Sequence, residues 1–364
     1  MRRRRFLIAI AVALLLAAVW QPALADMSQA ISWLRAQQRE DGGFGGQKST
    51  LSETAEAIYA FVAAGVDPNE LQKGNRTPLT FLAESLPEAM DVGTKAKVAL
   101  AVAVAGGDPR HFGGVDLIAA IRGSLSAEGA YGGPDGTLIG HTYAMLALEA
   151  SLESVAPQAV SWLKERQASN GGWAWNGSQK PEDVDSNTTS LAVQALIGAG
   201  VSATDPTVKA ALSYLRSIQN EDGGFPYQKP SPYGSDTDAN STALAIQAII
   251  AAGESPSKWT TAEGKDPVAA LMALQNKSGA FAWQASFADD NFLATAQAIP
   301  ALAGKPHPLR PLASQMAQPA ATPAPAPILP VSGGGVAAQP ALWTLVLTGA
   351  SGMAAVALRA RRRA

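Results

Sequence analysis

The chain contains no cysteine. That excludes disulfides, thiolate nucleophiles and cysteine-ligated zinc, so stability must come from packing alone. Histidine is scarce too, with three copies. Only His141 falls at the start of a helical run, while His111 and His307 read as loop residues. A lone histidine is ordinarily a cap or a polar surface group, so neither a metal nor a cofactor is expected. Charge is sparse at 16%, and its formal sum of −2 hides an asymmetry. Arg2 to Arg5 and Arg359, Arg361, Arg362 and Arg363 cluster at the two ends with no acids beside them. Without those eight, 20 Lys and Arg face 30 Asp and Glu, a net charge of −10. Such a domain offers no footprint for nucleic acid and no basic face for a membrane surface.

The two ends read as address labels. After Arg2 to Arg5 comes an apolar run, Phe6 to Val19, and then the small-x-small site Ala23-Leu24-Ala25. Residues 1–25 are therefore expected to be a signal peptide cleaved after Ala25. Residues 305–333 form a Pro/Ala-rich spacer that cannot build a core. Residues 334–364 hold an apolar stretch, Ala341 to Leu358, followed by the arginines, which is the pattern of a short transmembrane helix with a basic stop. The spacer ends in Leu329-Pro330-Val331-Ser332-Gly333. This order resembles a sortase cell-wall sorting signal, Leu-Pro-x-Thr-Gly, with Ser332 in place of the threonine. The expected location is the cell surface, with the chain held by the membrane through its C-terminal helix or by the cell wall through the sorting motif.

Between the ends the chain repeats a phrase. Gln-x-x-(x)-Asp-Gly-Gly-aromatic occurs from Gln37 to Phe44 and from Gln219 to Phe225, with worn copies from Gln167 to Trp173 and from Gln275 to Phe281. Helix ends recur at Gly65, Gly106, Gly200, Gly253 and Gly304, about 48 residues apart. In the third unit Glu149-Ala150-Ser151 stands where glycine is expected. Upstream of each mark is a helix that is apolar nearly all round, such as Leu191 to Leu196. Before it comes an amphipathic one, such as that carrying Trp162, Leu163 and Arg166. An inner apolar ring inside an outer amphipathic ring follows, built from six hairpins.

On these motifs residues 26–304 resemble the terpene cyclase and protein prenyltransferase superfamily, with its prenyltransferase/squalene oxidase repeats. The resemblance implies an all-α fold, the α/α toroid. The repeat motif itself is missing from the second unit, Phe81 to Gly106, and only Gly129-Ala130-Tyr131-Gly132 of it stands in the third. Class II cyclases of that superfamily protonate an alkene with the central Asp of Asp-x-Asp-Asp-Thr-Ala. Here Asp238-Ala239-Asn240-Ser241-Thr242-Ala243 aligns with it, and the central position is Asn240, as it is Asn187 one repeat earlier. An amide cannot donate that proton. Aligning Gln297 with Gln247 places Asp290 at the central position of the sixth repeat, the one place where a cyclase acid could survive. Prenyltransferase zinc needs a cysteine that is absent.

The candidate site residues lie where three inner helices begin. Asp183, Asp185 and Asn187, then Asp236, Asp238 and Asn240, then Asp289 and Asp290 can cap helices or line a polar mouth. Aromatic pairs precede them: Trp173 with Trp175, Phe225 with Tyr227, Phe281 with Trp283. The first of each pair is expected to wedge into the hairpin. The second members, Trp175, Tyr227 and Trp283, have less structural reason to be aromatic and are candidates for ligand contact. The expected function is non-catalytic binding or display of a small molecule or glycan. The rival is an enzyme, cyclase-like or acting on polysaccharide, with Asp290, Asp238 and Asp185 as its candidate acids.

Overall fold

Glycine after an apolar helix, followed by a second apolar helix one period later, is a recipe for stacked hairpins, and the arrangement of the helices follows it. A computed structural model describes residues 27–309 except 87–89, 134–135 and 233. The expected signal peptide with Ala25, the sorting-like residues Leu329, Pro330, Ser332 and Gly333, and segment 334–364 lie outside the described residues. Among the described residues no helix is long and apolar enough to cross a membrane.

The outer helices are α1 (27–36), α3 (Pro78–Glu84), α5 (Leu117–Gly123), α7 (Pro157–Glu165), α9 (Pro206–Ile218) and α11 (Pro267–Met272). The inner ones are α2 (Leu51–Ala63), α4 (Val92–Val104), α6 (Leu138–Ala150), α8 (Ser186–Gly198), α10 (Ala239–Ala251) and α12 (Phe292–Leu302). Each inner helix packs on the next, and α12 packs back on α2, so the inner ring is closed. The fold is an α/α toroid. Among the described residues the paired strands are those of a short antiparallel hairpin in the sixth repeat, β1 (Phe281–Gln284) with β2 (Phe287–Asn291).

Each inner helix ends in the same reversal. In α8, Gly200 takes a left-handed φ of 84°, its N–H donates to Ile197 O, and Val201 N–H reaches back to Leu196 O at 3.0 Å. This is a Schellman motif, which satisfies the last carbonyls. Where the sequence lacks the glycine, α6 makes the same turn with Leu152 at φ 58°, and Leu152 is 93% exposed.

The repeat phrase explains how the hairpins join. In each copy the glutamine six residues before the aromatic donates to the first motif glycine and, in three repeats, to the following unit as well. Gln167 Nε2 reaches Gly171 O at 2.7 Å and Thr207 O, on α9, at 2.8 Å. Gln219 bridges Gly223 O and Trp259 O, both at 2.8 Å. In the first repeat this role falls to Gln38, at 3.0 Å from Gly42 O and 3.3 Å from Leu71 O, and not to Gln37, which bonds within α1. The first motif glycine lies against the backbone of the next outer helix. A Cβ on Gly171 would stand 2.4 Å from Ala210 O, and one on Gly279 would stand 2.6 Å from Gln29 O of α1. The sixth repeat thus grips the first as each other copy grips its successor.

The bore of the ring is filled. After α12 the chain turns inward, so residues 305–309, expected as the start of the spacer, pack on the core. His307 and Leu309 are buried. His307 N–H donates to Gln194 Oε1 of α8 at 2.9 Å, and its ring meets Tyr59 of α2 edge-on at 5.1 Å. His307 is therefore a core residue, not a loop residue, and burial pushes it down to about 4. Beside it Glu56 pairs with Lys97 at 2.9 Å and accepts from the Tyr143 hydroxyl at 3.3 Å. Burial works to raise the Glu56 carboxyl, but Lys97 wins and holds it below its ordinary value. At the lower rim Glu149 lies against Gly198 and Pro308, with both oxygens buried and unpartnered, and burial pushes it up to about 9.

Two predictions follow from these helix ends. Replacing Leu152 with glycine removes a left-handed strain of about 1–2 kcal/mol, less about 0.5–1 for the added chain entropy. The variant should melt a few degrees higher, read by calorimetry; a lower midpoint contradicts the strain. Glu149, protonated in the fold near neutrality, stabilises below its ordinary 4.5 and loses that contribution as pH rises through about 9. Urea midpoints should therefore fall between pH 6.5 and pH 9, and Glu149→Gln should flatten that fall.

Candidate ligand-binding face

The inner helices all begin on one face, and a repeated tether builds it. The backbone N–H of the first motif aromatic donates to a side chain four residues past the next N-cap. Phe44 N donates to Thr54 Oγ1 at 2.9 Å, Trp173 N to Thr189 Oγ1 at 3.0 Å, Phe225 N to Thr242 Oγ1 at 3.0 Å and Phe281 N to Thr295 Oγ1 at 2.8 Å. In the third repeat His141 replaces the threonine: its Nδ1 accepts from Tyr131 N at 3.0 Å, and its Nε2 lies 3.2 Å from Ala159 O. His141 is fully buried, which corrects the surface reading, and burial pushes it down to about 4.

These tethers fix the register. Thr189, Thr242 and Thr295 are equivalent, so the N-caps Asp185, Asp238 and Asn291 are equivalent too. The position of Asn187 and Asn240 is then taken by Leu293 in the sixth repeat. Aligning Gln297 with Gln247 therefore gives the wrong register, and Asp290 does not stand where a cyclase acid would. Asp290 lies on β2, where it accepts from Trp33 Nε1 at 3.1 Å, Asn276 Nδ2 at 2.8 Å and Ser278 Oγ at 2.8 Å. It ties the sixth repeat to α1. Asp289 beside it is exposed.

Asp185 and Asp238 each cap their own helix. Asp185 accepts from Thr188 N at 2.7 Å and Thr188 Oγ1 at 2.8 Å; Asp238 accepts from Ser241 N at 2.7 Å and Ser241 Oγ at 2.9 Å. Both are buried, and burial pushes each up to about 6 against those hydrogen bonds. Burial and the nearby Asp185 carboxylate raise the Tyr227 phenol well above its ordinary value. Asn240 Nδ2 donates to Gln297 Oε1 at 2.9 Å, and Asn187 Oδ1 lies 3.4 Å from Ser186 Oγ.

The paired aromatics divide by burial. Trp173, Phe225 and Phe281 are fully buried, with Trp173 Nε1 donating to Leu163 O of the preceding outer helix at 2.7 Å. Trp175, Tyr227 and Trp283 are 50%, 43% and 40% exposed. They are brought together because each loop leans over the start of the preceding inner helix. Leu138 N donates to Trp175 O at 3.0 Å, Ser186 N donates to Tyr227 O at 2.8 Å, and Gln284 bridges to Asp238. All three rings line one cavity of about 480 Å³, together with Asp183, Asp236 and Asp238. Asp185, Asn187, Asn240, Asp289 and Asp290 are not among its lining residues.

Among the lining residues not expected from the sequence are three amides, Asn176, Gln228 and Gln284. Each directly follows one of the exposed aromatics. The sequence does carry the signal, since Trp175-Asn176, Tyr227-Gln228 and Trp283-Gln284 recur at one place in three consecutive repeats.

Comparison with known proteins agrees with this architecture. Residues 187–296 match the family model of the squalene-hopene cyclase C-terminal domain, and residues 4–92 that of the prenyltransferase alpha-alpha toroid domain. A variant of the type II terpene cyclase MstE from Scytonema, in complex with geranylgeranyl dihydroxybenzoate, is similar at TM-score 0.54 and 15% identity over 78% of this chain and 98% of that one. The GH76A alpha-1,6-mannanase from Salegentibacter is similar at TM-score 0.53 and 10% identity, over 78% and 98%. A protein from Actinoplanes is similar at TM-score 0.53 and 16% identity, over 78% and 99%. No curated protein matches the chain by sequence. The chain carries a terpene cyclase/prenyltransferase-like α/α toroid, a fold it shares with a glycosidase.

The tether is testable. Thr242→Val leaves the buried Phe225 N–H without its acceptor and should cost about 1–3 kcal/mol in urea unfolding, while Thr242→Ser should cost little. Equal losses in both variants would assign the effect to packing.

Proposed function

We propose that this protein is a cell-surface-held binding domain, and that the face where its inner helices begin takes up a small molecule or glycan without transforming it. The observation that carries the reading is the set Trp175, Tyr227 and Trp283, held at equivalent places in three repeats and exposed around one cavity. Large rings left half in water around one cavity contribute little to the core, and such exposed apolar groups beside a pocket mark binding sites. The filled bore supports the same reading, because a cyclase must enclose an apolar substrate and this bore is occupied by His307 and Leu309. Attachment outside the cell rests on the end segments of the sequence.

One observation favours a second reading, a polysaccharide-acting enzyme: Asp238 lines the cavity with a carboxyl pushed up to about 6. Against it, both Asp238 oxygens are engaged by Ser241, and the side chain is nearly inaccessible. If Asp238 were a general acid, Asp238→Asn would abolish release of reducing sugar from a polysaccharide the protein binds.

The binding reading predicts that the full chain, purified from its own cells, retains a molecule visible by native mass spectrometry. A Trp175→Ala, Trp283→Ala double variant should lose that molecule while keeping its helical circular dichroism and melting midpoint. Retention by the double variant would place the ligand elsewhere.

A further inference from the structure

We infer that the occupant of this face is a linear, neutral or amino-bearing oligosaccharide that runs along an arc from the start of α10 to the start of α4. The inference rests on the binding reading above and adds the ligand class and its path.

The path comes from the cavities. Next to the 480 Å³ cavity lies one of about 380 Å³, and both are lined by Asn176. A third, of about 370 Å³, meets the second at Gly136 and reaches Asp91 and Val92 where α4 begins. The three follow the inner ring over the consecutive starts of α10, α8, α6 and α4. Neighbouring helices pack about 8–10 Å apart, so three steps span roughly 25–30 Å. That length suits an extended chain and exceeds what one small molecule fills.

The chemistry comes from the repeated pairs. Trp175-Asn176, Tyr227-Gln228 and Trp283-Gln284 each offer an aromatic face beside a side-chain amide. A pyranose ring is built the same way, with an apolar C–H face and a rim of hydroxyls that both donate and accept. An amide also does both, so it matches hydroxyls without imposing a charge. A quaternary ammonium would use the rings but leave the three amides idle. The Tyr227 loop is held by Ser186 N–H on Tyr227 O at 2.8 Å, and the Trp283 ring by its contact with Phe287 at 5.1 Å, so little freedom is lost on stacking.

The charge chooses among glycans. Glu182, Asp183, Asp236 and Asp238 line the first cavity, Glu128 the second and Asp91 the third. Among the described lining residues the basic group is Arg166, already stacked over Trp162 at 5.1 Å. Uronate or sulfated chains would meet carboxylates with little counter-charge, whereas hydroxyls and amines would find acceptors.

The test is calorimetric titration of the full chain with manno-, cello- and chitosan oligosaccharides of one to six units, and with oligogalacturonates as acidic probes. At least one neutral or amino series should gain tenfold or more in affinity from two units to six, and the oligogalacturonates should bind at least tenfold more weakly. Trp175→Ala should weaken short and long oligomers alike. Glu128→Ala, exposed at the second cavity, should weaken the hexamer severalfold and leave the dimer unchanged. A monomer that binds as tightly as the hexamer overturns the arc but leaves a binding face. Failure of every neutral and amino series overturns the glycan assignment. If the native protein then also retains no molecule, the binding reading falls with it.

Discussion

The structure depends on one backbone contact repeated around a circle. The first glycine of the repeat phrase sits in a left-handed turn against the backbone of the next outer helix, too close for any side chain, as at Gly171 against Ala210 and Gly279 against Gln29. The glutamine of the same phrase holds that turn open and, in three repeats, reaches into the following unit. A hairpin of this kind cannot bury its inner helix alone, so the contact is what turns six marginal units into one core. Closure between the sixth repeat and α1, reinforced by Asp290 with Trp33, removes the exposed ends that an open solenoid must cap.

From that constraint the binding face follows. Each loop is held by its glycine on the outside and by its threonine tether on the inside, so the residue two past the buried aromatic has one place to go. It emerges over the start of the preceding inner helix. Three neighbouring repeats put Trp, Tyr and Trp there, and the cavity forms between them. Asp185 and Asp238 serve this geometry twice: their carboxylates cap α8 and α10, and their backbone N–H groups donate to Trp173 O and Phe225 O of the loops that carry Trp175 and Tyr227.

Much of this was legible in the sequence, and the exceptions have physical causes. Helix ends were readable because glycine at a left-handed turn leaves a mark; the missing mark was read at Glu149 to Ser151, one residue short of the left-handed Leu152. The glutamine of the first repeat was misread by one residue because Gln37 and Gln38 are adjacent; counting six back from the aromatic selects Gln38. The sixth register was misread because Gln297 is not the counterpart of Gln247. The tether threonine, Thr295, was the better anchor, and the β1–β2 hairpin disguises the approach to it. The filling of the bore was hidden, since Gly304 to Leu309 has the composition of the spacer that follows and only its contacts with Gln194 and Tyr59 distinguish it. The amides beside the exposed aromatics were visible as repeated pairs but carried no meaning until the loops were seen to converge.

The central claim is that recognition takes place on the face where the inner helices begin, while the bore is structural. The most direct measurement is a crystal structure of the full chain as isolated from its own cells. Density against Trp175, Tyr227 and Trp283, with His307 still bonded to Gln194, is the predicted result. An apolar molecule lodged between α2 and α8, with residues 304–309 displaced from the bore, would contradict it.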